Sequence, residues 1–425
     1  MKISNLRREG PARVAATVAW EDSERPALEV FFETRVEFGS ELEPDPNALL
    51  LAAYFPAIRH KEKRILLEGP VSPRMRDGLK AVASLFRGWY GGERDEPRLD
   101  VALGFAPPTP RSPGRAASFL SGGIDSLFTL RKNRVEIPGD HPASIRDVLW
   151  LEGREFQGGE NSPAALSHAE RLSQVLNEVA RDAGATLVPV RTNVRGLDPD
   201  IFFFGYEFQA ACVAAAAHVL SRRFDVVSFS SGWEMGSLIP WGTHPLVDPN
   251  LGTEALTVRH DGAAYGRAEK LRALAGWKVA IQNLVVCNEN PTAASLNCGR
   301  CYKCVETMTL LLSEDLLAGA RQFPFSDVTP DLIDGLTLAP NLRSSLREYA
   351  GFWTAMIPSL EARGRGDLSQ SIQAKLADAS RLELWLEERD WKGRLKRLDR
   401  RFAGGLGTRA LRAVRKKNAF RRPPR

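Results

Sequence analysis

The 425-residue sequence has only 5 cysteines and 6 histidines, and it has no long apolar run. So few cysteines in a chain of this length exclude the disulfide framework of a small secreted domain. The longest apolar run, residues 210–220, is interrupted by His218 and is far shorter than the roughly 20 residues of a membrane span. The first apolar stretch ends at Glu21, too early for a secretory signal. We therefore expect a cytoplasmic protein without a membrane partner.

Two catalytic signatures are also missing. The Gly-Lys-Ser/Thr ending of a Walker loop does not occur, which argues against transfer of a γ-phosphate. No Ser-His-Asp or Cys-His arrangement can be read from the sequence. The composition, 43% hydrophobic and 26% charged, is that of a globular protein and excludes a disordered or collagen-like chain.

Positive charge is concentrated at one end of the chain. Residues 392–425 contain 14 Lys or Arg and one acid, Asp399, so they carry +13. Since the whole chain carries +6, residues 1–391 carry −7. A basic tail of this kind suits a polyanion such as RNA, and it is equally typical of a solvated segment with no specific partner.

The chain divides into five predicted regions. Alternation near period two indicates a β-rich accessory module over residues 1–105. A proline-rich linker follows at 106–115. Short apolar strands are predicted at 116–120, 147–151, 186–190 and 225–230, and helices alternate with them, including an alanine-rich helix at 206–222. This alternation over residues 116–330 predicts a doubly wound α/β domain with a parallel sheet. We expect a helical region at 331–391 and the basic tail at 392–425.

The first strand of the α/β domain is predicted at 116–120, and a glycine-rich loop follows it directly. The loop reads Ser121-Gly122-Gly123-Ile124-Asp125-Ser126, and a helix is predicted after it. Two glycines allow close approach to a ligand, and the free N–H groups at a helix start attract an anion. Asp125 either caps the helix or helps to hold Mg²⁺. We call residues 121–126 the phosphate loop.

This string resembles the pyrophosphate-binding loop of the PP-loop ATP pyrophosphatases. The resemblance implies an HUP-like α/β fold, binding of ATP with Mg²⁺, and adenylation of a substrate oxygen with release of pyrophosphate. On that basis Ser121, Gly122, Gly123, Asp125 and Ser126 bind the nucleotide, and Asp125 acts in catalysis.

Four of the five cysteines lie close together in the sequence. Cys287 precedes two overlapping C-x-x-C units formed by Cys298, Cys301 and Cys304. Four thiolates suit tetrahedral Zn²⁺ in a closed, structural site. Free thiols and a redox pair are the alternatives. The prediction is a zinc-stapled helical part after the sheet.

The loop and the cysteines together resemble the QueC group, the cyano-deazaguanine synthases. The string Arg267-Ala268-Glu269-Lys270-Leu271 is similar to the Lys-Ala-Glu-Ile stretch of those enzymes, and it places Arg267 where the family has a phosphate-reaching lysine. An exposed helix charge is the other interpretation of Arg267. The Gly-Tyr-Pro-Asp-Cys-Arg string of the family is missing, so the deazaguanine substrate does not carry over.

The resemblance implies an ATP-dependent ligase that adenylates a carboxylate, small or protein-borne, for amide or nitrile formation with ammonia or an amine. The alternatives are a tRNA-thiolating PP-loop enzyme and a non-catalytic nucleotide-binding subunit. Weaker substrate candidates are Glu152, Glu234 and Trp241, each of which is equally compatible with a packed or rim position. A homodimer is the candidate assembly.

Overall fold

The computed structural model describes residues 1–92, 94–104, 115–152, 163–287, 289, 295–336 and 346–389. The predicted linker, apart from Arg115, and the basic tail lie outside the described residues. The chain forms two compact units, Met1–Asp327 and Val328–Arg425. Among the described residues, no helix combines the length and the apolar character that a membrane crossing requires.

One sheet of ten described strands organises the first unit. The strand order is β10-β9-β6-β7-β8-β3-β2-β1-β4-β5, and six of the nine neighbouring pairs are parallel. The α/β class predicted from the sequence is therefore confirmed. The strands are β1 Lys2–Glu9, β2 Arg13–Ala19, β3 Leu28–Glu33, β4 Arg64–Val71, β5 Arg98–Leu103, β6 Ala116–Phe119, β7 Ile145–Glu152, β8 Thr186–Thr192, β9 Val226–Ser230 and β10 Thr257–Asp261.

Strands β6 to β10 form a parallel half-sheet. In chain order the strands lie 5-4-1-2-3, so the order reverses between β6 and β9. Successive residues of β7 and β8 are buried, as in strands that are covered on both faces. In open sheets of this kind, ligands bind beyond the carboxyl ends of the strands where the order reverses. We therefore expect a ligand to bind at the loops after β6 and β9.

The N-terminal strands extend the same sheet. Phe32 of β3 pairs with Thr192 of β8, and Glu33 pairs with Arg191, both antiparallel. Residues 1–105 also contribute two helices, which the alternation pattern did not predict. Each begins at a proline after a capping side chain: Asp45 accepts a hydrogen bond from Asn47 N–H, and Ser72 accepts one from Met75 N–H.

The helices cover the sheet and close the core. The alanine-rich helix predicted at 206–222 begins earlier, includes a π-helical turn at Phe204–Phe208 and ends at His218. The α-helices of the first unit are α1 Pro46–Arg59, α2 Pro73–Tyr90, α3 Ile124–Glu136, α4 Pro163–Asp182, α5 Ile201–Phe203, α6 Gln209–His218, α7 Arg267–Leu274, α8 Lys278–Gln282 and α9 Tyr302–Ser313. Helix α1 packs against α6, and this contact joins the two halves of the unit.

The second unit is helical where it is described. It contains α10 Pro330–Asp334, α11 Leu346–Ala362 and α12 Gly366–Arg389, and α12 packs against both of the others. Buried side chains at Trp353, Leu360 and Leu368 form its core.

Candidate functional site

The phosphate loop connects the end of β6 to the start of α3, at the point where the strand order reverses. Gly123 is the N-cap residue of α3 and supplies no side-chain cap. Gly122 has φ of +84°, and a methyl group there would lie 3.2 Å from Leu176 Cδ2. The backbone of this turn therefore requires glycine at position 122.

The two serines of the loop hold its shape. Ser126 Oγ donates to Gly123 O at 3.0 Å and lies 3.2 Å from Ser121 Oγ. The backbone N–H of Ser121 also donates to Ser126 Oγ. Ser126 is buried, whereas Ser121 is exposed at the mouth of the loop. Both hydroxyls are thus held at the start of α3.

Asp125 binds two cations from α7. Its Oδ1 is 2.9 Å from Lys270 Nζ, and its Oδ2 is 3.2 Å from Arg267 Nη2. Lys270 is fully buried and also donates to Ser231 O at the end of β9. Burial opposes ionisation of Asp125, but the charges of Arg267 and Lys270 outweigh it and hold the pKa of Asp125 below its ordinary value. The carboxylate fixes both cations beside the phosphate loop instead of capping α3.

Helix α9 adds a second acid and a third cation to this group. Buried Glu306 binds Arg267 Nη1 at 3.2 Å, so Arg267 bridges two carboxylates. Glu306 and Asp125 keep the pKa of Arg267 above its ordinary value although burial opposes this. Desolvation and the charge of Arg267 lower the pKa of Lys303, which forms no ion pair with any described residue. The group beside the phosphate loop thus contains three basic side chains and two acids, Asp125 and Glu306.

The four clustered cysteines converge in space. Their Sγ atoms all lie within 4.8 Å of one another. Cys287 Sγ is 4.0 Å from Cys301 Sγ, and Cys298 Sγ is 3.8 Å from Cys304 Sγ. A tetrahedron with Zn–S bonds of about 2.3 Å has edges of about 3.8 Å, so these sulfur atoms fit a metal such as zinc. We call these four residues the cysteine cluster.

The turn between Cys298 and Cys301 is shaped for a metal ligand. The N–H groups of Arg300 and Cys301 point at Cys298 Sγ, at 3.5 and 3.3 Å. Gly299 has φ of +71°, which makes this tight turn accessible. Hydrogen bonding, above all with Cys287, lowers the pKa of Cys301 to about 2. Hydrogen bonding with Cys301 raises the pKa of Cys287 to about 11, and hydrogen bonding with Cys287 raises the pKa of Cys304. The fit to a metal ion therefore depends on the positions of the four sulfur atoms.

Comparison with known proteins adds no relative: no family model, curated protein or solved structure matches this chain. The function of the protein is therefore inferred from the residues of the site and from the motif resemblance.

The weaker substrate candidates lie in three different surroundings. Glu152 is half-buried at the carboxyl end of β7, the strand beside β6. Glu234 is exposed after β9, and its Oε2 would lie 2.8 Å from a methyl group on Gly266, the N-cap residue of α7. Trp241 packs edge-on against Tyr206 at 4.8 Å, and its Nε1 donates to Gln209. Glu234 is thus next to the helix that carries Arg267, whereas Trp241 is a packed aromatic side chain.

Several residues of this site were not singled out from the sequence. Lys270 follows Arg267 by three positions, a spacing that places both on one face of a helix. Glu306 is the one acid in the otherwise uncharged segment between Cys304 and Glu314. Asn297, directly before Cys298, has no sequence signal of its own; the structure alone shows that it is fully buried and hydrogen-bonded on both sides.

Proposed function

We propose that the protein is an ATP-dependent enzyme of the PP-loop type, similar to the QueC group, that adenylates a substrate carboxylate. The observation that carries the proposal is the convergence of Arg267 and Lys270 on Asp125 inside the phosphate loop. The motif, the end of β6 and the start of α3 coincide with two cationic side chains, Arg267 and Lys270, and cations of this kind suit a bound pyrophosphate group.

In this proposal, the β- and γ-phosphates of ATP lie on residues 121–126. A carboxylate oxygen of the substrate attacks the α-phosphorus, the bond to the β-phosphate oxygen breaks, and pyrophosphate leaves. Ammonia or an amine then attacks the acyl carbon, AMP leaves, and a proton is lost to solvent, giving an amide. Where ammonia is the donor the amide is primary, and its oxygen can attack a second ATP and release a second pyrophosphate. Loss of AMP and of both N–H protons then gives a nitrile. The protein contributes positioning and charge stabilisation.

Two cations are well placed for the departing pyrophosphate. Arg267 offers a planar fork of N–H donors suited to phosphate oxygens. Lys270 is held by Ser231 O as well as by Asp125, so its ammonium group is fixed before a nucleotide arrives. Mg²⁺ would accompany the phosphates as the usual partner of ATP.

The positions of the cysteines argue against the thiolating alternative. Four of the five lie in the cysteine cluster, and the fifth, Cys212, is buried in α6 with its pKa raised by desolvation. A metal-bound thiolate is not free to carry a persulfide, and a buried thiol is inert. Zinc would hold the cluster in a structural role and take no part in the reaction.

The nucleotide products test the proposal. The protein is incubated with ATP, Mg²⁺, ammonium and a panel of carboxylic acids, and nucleotides are separated by ion-exchange chromatography. We expect equal amounts of AMP and pyrophosphate with at least one acid. Formation of ADP and phosphate instead would show that the PP-loop assignment is wrong.

The matched variants are Asp125→Ala and Asp140→Ala. Asp125→Ala releases both cations from their anchor, so formation of AMP should fall at least 100-fold. Asp140 is an exposed acid in the turn before β7, and its replacement should leave the rate unchanged. Equal loss in both variants would mean that Asp125 has no specific role.

A further inference from the structure

Two routes of direct contact connect the cysteine cluster to the phosphate loop. The first runs along the backbone. Val285 N–H donates to Gly122 O at 3.0 Å, and Cys287 follows Val285 by two residues. The chain segment that supplies one cluster sulfur therefore also forms one wall of the phosphate loop.

Asn297 fixes this segment against the rest of the cysteine cluster. Its Oδ1 accepts hydrogen bonds from Val286 N–H at 2.9 Å and from Cys287 N–H at 3.2 Å. Its Nδ2 donates to Leu284 O at 2.9 Å and to Gln322 O at 3.0 Å. Because Asn297 directly precedes Cys298, one buried side chain sets the distance between two cluster cysteines and the position of the loop wall.

The second route runs through charged side chains. Cys304 and Glu306 lie in the first turns of α9, two residues apart. Glu306 holds Arg267, and Arg267 holds Asp125 in the phosphate loop. Each contact is 3.2 Å long, and Glu306 is buried. A metal ion that fixes Cys304 therefore also fixes the start of the chain of ion pairs that ends in the loop.

We propose that the cysteine cluster and the phosphate loop are coupled: a metal ion in the cluster raises the affinity of the loop for pyrophosphate, with Glu306 and Asn297 as positioning residues. This inference depends on the proposed function, since it requires that the loop binds phosphate. Couplings of this kind usually change affinity by about 5- to 150-fold. We expect about tenfold.

The direction in which pyrophosphate affinity changes in Glu306→Gln distinguishes a positioning role of Glu306 from a simple effect of its charge. Glu306→Gln removes a negative charge beside the phosphate loop, so electrostatics alone predicts tighter binding of pyrophosphate. Loss of the anchor of Arg267 predicts binding about tenfold weaker. Isothermal titration calorimetry with inorganic pyrophosphate, at stoichiometric zinc verified by metal analysis, decides between them. Binding as tight as in the wild type, or tighter, overturns the role of Glu306.

Glu314→Gln is the matched control. Glu314 lies at the end of α9 and pairs with Arg272 of α7 at 3.0 Å, so it joins the same two helices away from the loop. Glu314→Gln should bind pyrophosphate as the wild type does. An equal weakening in both variants would indicate a general effect on helix packing and would overturn the specific route.

Asn297→Ala and Asn283→Ala test the backbone route. Both asparagines are buried, but Asn283 Nδ2 has no hydrogen-bond partner among the described residues. Asn297→Ala should lose affinity for zinc and for pyrophosphate together, whereas Asn283→Ala should keep both. Loss of zinc affinity with unchanged pyrophosphate affinity would overturn the coupling.

The last test measures pyrophosphate binding to wild-type protein from which zinc has been removed, once circular dichroism shows that this protein is folded. If it is unfolded, the zinc-loaded Glu306→Gln variant decides instead. Tenfold weaker binding of pyrophosphate after stripping supports the coupling, and equal binding overturns it. If the zinc-loaded wild type binds neither pyrophosphate nor ATP, the proposed function fails as well. If pyrophosphate binds equally well with and without zinc and in the Glu306→Gln variant, the coupling is wrong but the proposed function is not affected.

Discussion

Gly299 is a residue of the cysteine cluster turn that cannot carry a side chain. Its φ of +71° is unfavourable for other residues, and a methyl group would lie 2.6 Å from Pro324 Cγ and 2.7 Å from the ring of Phe325. The space that glycine leaves open is occupied by these two side chains. The Cys-Gly-x-Cys order is therefore a packing requirement as well as a turn requirement.

Gly299→Ala should lower the free energy of unfolding by about 2 kcal/mol or more, because backbone strain and the clash add. Urea unfolding of the zinc-loaded protein measures this. Gly276→Ala is the control, since Gly276 is exposed and has no atom within 4 Å of the added methyl group. Equal midpoints for the two variants would contradict the prediction.

At the residue scale, the sequence predicted the site residues that belong to a motif, and it did not predict the residues that contact them. The cysteine cluster followed from spacing, because four thiols within 18 residues have little freedom to separate. Lys270 and Glu306 contact Asp125 and Arg267 only because α3, α7 and α9 meet at one strand end. Contacts of that kind depend on packing between distant segments, and local patterns do not encode them.

At the scale of elements, the segment after β2 is attached to β4 by ion pairs. Glu21 Oε1 is 2.7 Å from Arg64 Nη2, and Glu21 Oε2 is 3.0 Å from the amino group of Met1. Arg64 first, and then this amino group, lower the pKa of Glu21 to about 2. A pKa lowered by folding means that the pair stabilises the protein above pH 4.5 and loses that effect as the pH falls towards 2.

Glu21→Gln should therefore destabilise the protein at pH 7 and have little effect near pH 2, so its stability should vary less with pH between 4.5 and 2. Thermal unfolding at a series of pH values measures the difference. Glu24→Gln, a change at an exposed glutamate nearby, is the control and should follow the wild type. A constant difference between Glu21→Gln and wild type at all pH values would contradict the assignment.

The predicted elements were most accurate where strands are buried on both faces. The strands predicted at 116–120, 147–151, 186–190 and 225–230 correspond to β6, β7, β8 and β9. In contrast, α1 was missed, because it is apolar on nearly every face and has no amphipathic period. Strand β10 was missed as well, since its residues include Arg259, His260 and Asp261. The conformation of α1 and β10 is decided by tertiary packing and by position at the edge of the sheet, and the local sequence pattern shows neither.

At the scale of the whole molecule, charge is divided between an acidic body and the basic tail. Deletion of residues 392–425 removes +13 and should abolish any steep dependence of RNA affinity on salt concentration. Filter binding with a tRNA at several salt concentrations measures the slope. A chain with the same tail residues in shuffled order is the control and should bind as the full chain does. Unchanged RNA binding after deletion would contradict an RNA role for the tail.

The pairing of β3 with β8 has a consequence for synthesis of the chain. Phe32 and Thr192, which pair in these strands, are 160 residues apart in the sequence. At 5–20 residues per second, a ribosome needs on the order of 10–30 s to deliver β8 after β3. During that interval β3 is an unpaired edge next to a nearly complete N-terminal half, and unpaired edges recruit other strands. Yield during expression should therefore depend on chaperones that shield β3 until its partner emerges.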